Sequence, residues 1–326
     1  LPIESPVYDS IFSFLLPTAI PLLLFRADIR KIINEAGHTL IAFVLGVIGV
    51  LLGVLTAHFL IPVGEFAAET AGLYTATYTG GSANFAAVTV ATEFQKGTEL
   101  TALIAADIIA TNIQLIVLIA LPGILIIKQY FPAEFNQAEK VEKKVDKNLP
   151  YIVKSLNLTG LALSLTLAIF LVVLGKWMAM LSGSDAMAIL FTTAFALIIA
   201  NLMPGVVKLL SGDYELGLFL VFLFLAAVAS TADAWTLLET GPIFFYYAML
   251  LLFVHTVFVL VAGKILKIKL SDLIIGSTAC IGGTTTASAV ASAKGWNHLI
   301  APGILIGTLG NAIGTFLGVW VWSLLS

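Results

Sequence analysis

Residues 70–92 read TAGLYTATYTGGSANFAAVTVAT, and residues 273–293 read LIIGSTACIGGTTTASAVASA. Neither stretch holds an acidic or basic side chain. Both are rich in Gly, Ser, Thr and Ala, and each has a Gly-Gly pair near its middle. Paired glycines break a helix because ordering them has the largest backbone entropy loss, and a following Ser or Thr favours a new helix start. Each stretch is therefore expected to form two half-helices that meet at a polar break. Aligned without gaps, Gly80–Ala91 and Gly282–Ala293 share five of twelve positions and lie 202 residues apart.

Outward from these motifs, the chain divides at its few charges. Stretches free of Asp, Glu, Lys and Arg run 10–25, 36–64, 70–92, 108–127, 155–175, 186–207, 216–232, 240–263, 273–293 and 295–326. Most approach the ~20 residues a helix needs to cross the hydrocarbon, and they are continuously apolar, unlike the alternating ten-residue strands of a barrel. The composition agrees: 60% hydrophobic and 11% charged residues, with a mean hydropathy of +1.05. A soluble fold is nearer half apolar and a quarter charged. A soluble enzyme, a nucleic-acid partner and a disordered chain are excluded. An all-α, multi-pass protein in contact with a lipid bilayer is expected. The single cysteine, Cys280, removes any internal disulfide.

The two motifs sit in matching contexts. A long apolar helix precedes each, another follows, and those followers carry Asn112 and Asn311. Tyr8 and Asp28 bracket one span much as Tyr214 and Asp233 bracket another. This predicts a duplication, 1–127 and 155–326, joined by a charged linker 128–154. The second copy has two extra helices, 155–175 and 186–207. Together with Leu1 in place of Met, this predicts that two N-terminal helices precede the chain. Charge then decides topology. If both motif segments are re-entrant hairpins, fourteen of the sixteen Lys and Arg fall on the cytoplasmic side, leaving Lys96 and Lys176 outside. If both cross, the best split is only 10 to 6. The positive-inside rule favours the hairpins, entering from opposite sides, so the copies are inverted.

Two copies of five spans with a re-entrant Gly-Gly loop between the fourth and fifth resemble the 2-hydroxycarboxylate transporters and the glutamate:sodium symporters. The stretches SPVYDSIFSFLLPTAIPLLLFRADIRK (5–31), TGGSANFAAV (79–88) and IGGTTTASAVASAKGW (281–296) are more similar to a family of bacterial and plastid membrane proteins known only as a domain of unknown function. That likeness covers nearly the whole chain. The wider grouping implies an inner bacterial or plastid membrane, sodium- or proton-coupled elevator transport, and a homodimer. The transporters' Gly-Gly-Asn-Gly pattern is absent: Ser82-Ala83-Asn84 follows one pair and Thr284-Thr285-Thr286 the other.

A broken helix in lipid leaves backbone groups that need protein, water or a ligand. The half-helices starting at Ser82 and Thr284 present free N–H groups with partial positive charge, suited to a carboxylate or other anion. The carbonyls around Tyr78, Thr79, Cys280 and Ile281, with nearby hydroxyls, suit Na⁺. The expected solute-binding set is Gly80, Gly81, Ser82, Asn84, Gly282, Gly283, Thr284, Thr285, Thr286, Asn112 and Asn311. Thr79 and Asp107 are the candidates for a coupling cation, since an acid buried in a span usually has a function. The plainer alternative for the small residues is close helix packing. His255, alone in its span, reads as a neutral histidine bonded to a neighbouring helix. No spacing points to a catalytic metal, a cofactor or a Ser-His-Asp arrangement.

These features favour a secondary active transporter for a small polar or anionic solute, coupled to Na⁺ or H⁺. A channel is the alternative, and an intramembrane enzyme is further off. The charge sidedness makes a direct prediction. With Cys280→Ala as background, Lys143→Cys should react with a membrane-impermeant maleimide in inside-out vesicles but not in intact cells. Labelling in intact cells would reverse the topology.

Overall fold

The computed structural model describes residues 6–94, 97–131, 157–185, 187–230 and 234–326. Lys96, Asp233 and the linker residues from 132 to 154 lie outside the described residues. Among the described residues every regular element is helical. The elements that matter below are α1 (Val7–Leu24, with a π turn at Ile11–Leu15), α2 (Gly37–Leu60), α3 (Ala67–Gly80), α4 (Ser82–Ala91) and α5 (Thr98–Ala120). They continue with α6 (Leu158–Ser182), α7 (Met187–Leu202), α8 (Asp213–Ser230), α9 (Ala234–Ile265), α10 (Leu270–Ala293) and α11 (Ile300–Leu325).

Eight of the described helices are long and apolar enough to cross a bilayer. Their outer faces carry the large apolar side chains that hydrocarbon, not water, must cover: Phe253, Val257 and Val261 one turn apart on α9, and Phe170, Val173 and Trp177 on α6. The chain is a multi-pass integral membrane protein. The eight are not the eight expected from charge. Met187–Leu202 has 16 residues, about 24 Å at 1.5 Å per residue, and falls short. Leu270–Ala293 qualifies by length and composition, yet its backbone leaves helical geometry at Gly283.

The helices pack in two groups. One holds α1, α6, α7 and α8, and the other holds α2, α3, α4, α5, α9, α10 and α11. Most contact between the groups is made by α4 and α11 against α1, α7 and α8. At one end of the first group, Arg26 grips Asp213 bidentately, Nε to Oδ2 at 3.0 Å and Nη2 to Oδ1 at 2.7 Å. Arg26 also reaches Glu215 at 3.3 Å. The fork geometry matches a carboxylate and satisfies a buried Asp213 that would otherwise be strongly destabilising. Asn201 completes this corner by accepting from Ile29 N–H at 2.8 Å and donating to the Ala27 carbonyl at 2.9 Å.

In the second group, α2 and α9 approach through glycine. A Cβ on Gly53 would sit 2.5 Å from the Leu251 carbonyl oxygen. His255 is fully buried there, with Nδ1 3.0 Å from the Gly46 carbonyl and Nε2 2.7 Å from the Ser277 hydroxyl. A carbonyl only accepts, so Nδ1 carries the proton and Nε2 accepts from Ser277. One neutral imidazole ties α2, α9 and α10 together, as its isolation in the sequence implied.

The centre of this group is one face of α11. Its glycines 303, 307, 310, 314 and 318 follow helical spacing, and each meets the broken segments. Gly318 touches Gly72 and Ala76 of α3 and also Val88 of α4. The two arms on either side of Gly81 therefore lie side by side against it. Gly303 likewise touches Ile275 before, and Ala287 after, the break in α10. The first pair of arms covers the C-terminal half of α11 and the second covers the N-terminal half. A Cβ on Gly310 would lie 2.5 Å from the Thr79 carbonyl oxygen, and one on Gly307 would lie 2.6 Å from Thr284 Cα. Backbone is what blocks these positions, so no rotamer can relieve a larger side chain. Gly310→Val should destabilise the purified protein by about 2 kcal/mol or more, read as an earlier thermal unfolding midpoint. Gly241→Ala, which meets nothing within 4 Å, should leave the midpoint unchanged or raise it. Equal tolerance at both positions would contradict the packing.

Candidate functional site: the two helix breaks

Each Gly-Gly pair divides its labour. The second glycine makes the break: Gly81 has φ 92° and ψ 179°, and Gly283 has φ 72° and ψ −164°. Both values lie in a region essentially closed to residues with a Cβ. The first glycine stays helical; at Gly80 it also allows close approach, since a Cβ there would collide with the Gly310 carbonyl, whereas one on Gly282 would meet the Thr286 side chain. The two breaks face each other. A Cβ on Gly81 would have Gly283 Cα and N at 3.8 Å, and one on Gly283 would have the Gly80 carbonyl oxygen at 3.5 Å. Two stretches 202 residues apart in sequence thus meet backbone to backbone at the middle of α11.

The half-helices start where the sequence placed them, at Ser82 and directly after Gly283. The capping expectation does not hold for Ser82. Gly81 occupies the N-cap, no side chain caps α4, and Ser82 is the first helical residue. Ser82 and Thr285 are exposed, and Gly282 and Thr286 are half-buried. Beyond its break, the exposed positions of α10 include Thr285, Ala289 and Ser292. The exposed face of this arm thus lacks the large apolar side chains that coat α6 and α9.

Some expected ligands are committed elsewhere. Asn84 is 3% exposed. Its Oδ1 accepts from Thr315 at 2.8 Å and its Nδ2 donates to the Gly310 carbonyl at 3.3 Å. It fastens the first break to α11 rather than facing a solute. Thr286 spends its hydroxyl on the Gly282 carbonyl at 2.7 Å. Asn112 is exposed and donates to Ile108 of its own helix at 2.7 Å, away from both breaks. The sequence treated Asn112 and Asn311 as equivalent, but Asn311 is half-buried beside Gly310. The glycine ladder of α11, together with Thr315, escaped the sequence reading. A Gly every three or four residues from 303 to 318 was its signal.

Other groups remain without partners. The hydroxyls of Thr79, Thr284 and Tyr78 are buried and make no hydrogen bond among the described residues. A helical Thr ordinarily bonds the carbonyl four residues back, as Thr75 does to Ala71 and Thr278 to Ile274, both at 2.7 Å. Thr79 forgoes that bond, and Thr284, first after the break at Gly283, has no carbonyl of its own half-helix to make it with. A buried polar group of this kind calls for a water or a ligand. Near Tyr78 lies Asp107 on α5, 7% exposed. Thr111 donates to its Oδ1 at 3.2 Å, and the Thr77 and Tyr78 side chains face its carboxyl group. The Tyr78 hydroxyl is within electrostatic reach but short of hydrogen-bond geometry. Among the described residues no ion pair neutralises Asp107.

A protein-family profile described as "Protein of unknown function (DUF819)" matches residues 1–326. The chain is also 32% identical over 347 aligned positions to the "Uncharacterized membrane protein YjcL" of Bacillus subtilis, covering all of this chain and 86% of that protein. No solved structure matches. Neither match is to a glutamate:sodium symporter or a 2-hydroxycarboxylate transporter.

The glycine breaks make a prediction of their own. Gly81→Ala and Gly283→Ala should each destabilise the protein by about 1–3 kcal/mol. Because the two breaks touch, the double variant should depart from additivity by more than about 0.5 kcal/mol. Strict additivity in thermal unfolding would mean that the breaks do not meet.

Proposed function

The chain belongs to the DUF819 family of membrane proteins, and on that premise we propose that it is a secondary active transporter for a small polar or anionic solute. The observation that carries this reading is the meeting of two glycine breaks flanked by the unpartnered hydroxyls of Thr79 and Thr284. Irregular backbone is tolerated at membrane depth only where protein or an aqueous cavity satisfies it. Half-helix ends converging at midplane are how transporters build solute and ion sites.

We read α3–α4 and the two arms of α10 as re-entrant hairpins entering from opposite sides, each placed along its own half of α11. The inverted duplication fits the helix starts. The helices that follow the two breaks open at Thr98 and Ile300, 202 residues apart. The likeness to the symporter and hydroxycarboxylate transporter architectures enters here, as do the homodimer and the bacterial or plastid membrane it implies. The division into two helix groups, with both breaks in one of them, suits an elevator in which that group moves as a body. The exposed Ser82, Thr285 and Ser292 are the surface a hydrated solute would meet. Free N–H groups at the start of α4, and after Gly283, supply the positive ends for its anionic group.

Asp107 serves as the coupling group. A carboxylate buried in a span without a cationic partner must be neutralised by a proton or a bound cation. Na⁺ is the hard cation that the Asp107 carboxylate, the Thr79 hydroxyl and the carbonyls ending α3 would hold. Na⁺ at a hundred times its Kd should raise the stability of the purified protein by about 2.7 kcal/mol, and K⁺ should not. Asp107→Asn should abolish that increment and uncouple solute uptake in proteoliposomes from an imposed Na⁺ or H⁺ gradient. Uptake indifferent to either gradient in the unmodified protein would sink the proposal.

A further inference from the structure

A second polar feature lies well away from the helix breaks. A cavity of about 310 Å³ opens where α2, α10 and α11 begin. Lys267, Lys269, His38, His298, Asp272 and Thr39 supply its polar lining. Asp272 is buried, and its Oδ1 accepts from Thr39 at 2.8 Å. Both lysines are exposed, and no ion pair among the described residues engages either.

We propose that this cavity binds the phosphate group of an anionic phospholipid headgroup or of a free phosphate compound. Two lysines outnumber the one carboxylate, and both histidines can donate to an oxyanion. The starts of three long helices add positive field at the same place. The volume matches the lower range of small-ligand sites. The cavity lies at the membrane surface that the lysine distribution assigns to the cytoplasm, where basic pockets between spans take phospholipid headgroups. Asp272 would accept from a hydroxyl of the ligand.

Lys267 sharpens the case. It has φ 56° and ends α9 in the left-handed conformation, where Ile268 N–H bonds the Gly263 carbonyl at 2.9 Å. Glycine is the usual residue at such a position. A lysine there retains its charge at some expense of backbone strain.

That same geometry gives a clean test, because Lys267→Gly removes the ammonium group and relaxes the backbone together. The full chain, purified in detergent, is incubated with phosphatidylglycerol or phosphatidylcholine and examined by native mass spectrometry. Separately, its melting temperature is followed with inorganic phosphate. Phosphatidylglycerol should stay bound and phosphatidylcholine should not. Lys267→Gly and Lys269→Gln should each reduce the retained lipid at least fivefold, while Lys176→Gln on α6 should not. A melting shift with phosphate and no lipid retention assigns the site to a soluble phosphate compound instead of a headgroup. Neither effect in the unmodified protein, or undiminished retention in both lysine variants, would overturn the proposal. The unliganded melting temperature of Lys267→Gly, expected at or above that of the unmodified chain, separates lost binding from lost folding.

Discussion

The structure depends on one contact: a helix face of bare glycine, positions 303 to 318 of α11, against the backbone of two broken segments. In hydrocarbon there is no hydrophobic force to drive helices together, so packing and interhelical hydrogen bonds must do it. Removing every Cβ from one face lets α11 approach the carbonyls of Gly72, Ala76 and Thr79 on one side and the N and Cα of Thr284 on the other. Asn84, bonded to Thr315 and to the Gly310 carbonyl, fixes the register. Once α11 is seated, the two breaks have only each other to face. The first helix group, tied at one corner by Arg26 and Asp213, rests against α4 and α11.

That arrangement concentrates the expensive groups in one place. A break in a membrane helix frees carbonyls and N–H groups, and a buried carboxylate adds a charge. Scattered through the bilayer, each would be a separate penalty. Thr79 and Thr284 lie against α11, and Tyr78 faces Asp107 on α5, so these polar groups are held inside an apolar shell. The contrast with His255 is instructive. It is as deeply buried, yet both its ring nitrogens are satisfied by Gly46 and Ser277, so it works as a brace. Asp107 accepts from Thr111 but has no cationic partner among the described residues.

The sequence made the breaks legible because they depend on a local property, the backbone freedom of glycine, stated twice. It also placed the half-helix starts at Ser82 and Thr284, but, with Asp107 at the edge of a span, it did not show that this acid is buried. It did not reveal which glycine of each pair would leave helical geometry, since that is decided by what packs against the other. Nor did it show that Asn84 turns toward α11 while Asn112 turns outward. Both are single asparagines in apolar surroundings, and only the rotation of their helices against neighbours separates them. The capping role expected of Ser82 failed because Gly81 already supplies the non-helical residue. The cavity beneath α10 drew no attention, because its residues come from three separate stretches and look like ordinary interfacial charges.

We read the chain as turning back at Gly81 instead of continuing across the membrane. Spin labels at Ala68→Cys and Thr92→Cys, in a Cys280→Ala background, test it directly by electron–electron distance measurement in lipid. If α3 and α4 lie side by side, their axes are separated by ordinary helix packing, 8–10 Å, and the labels should fall within about 20 Å of each other. A broken helix that crosses the bilayer would place them about 36 Å apart at 1.5 Å per residue. A distribution centred at the longer value would contradict the account.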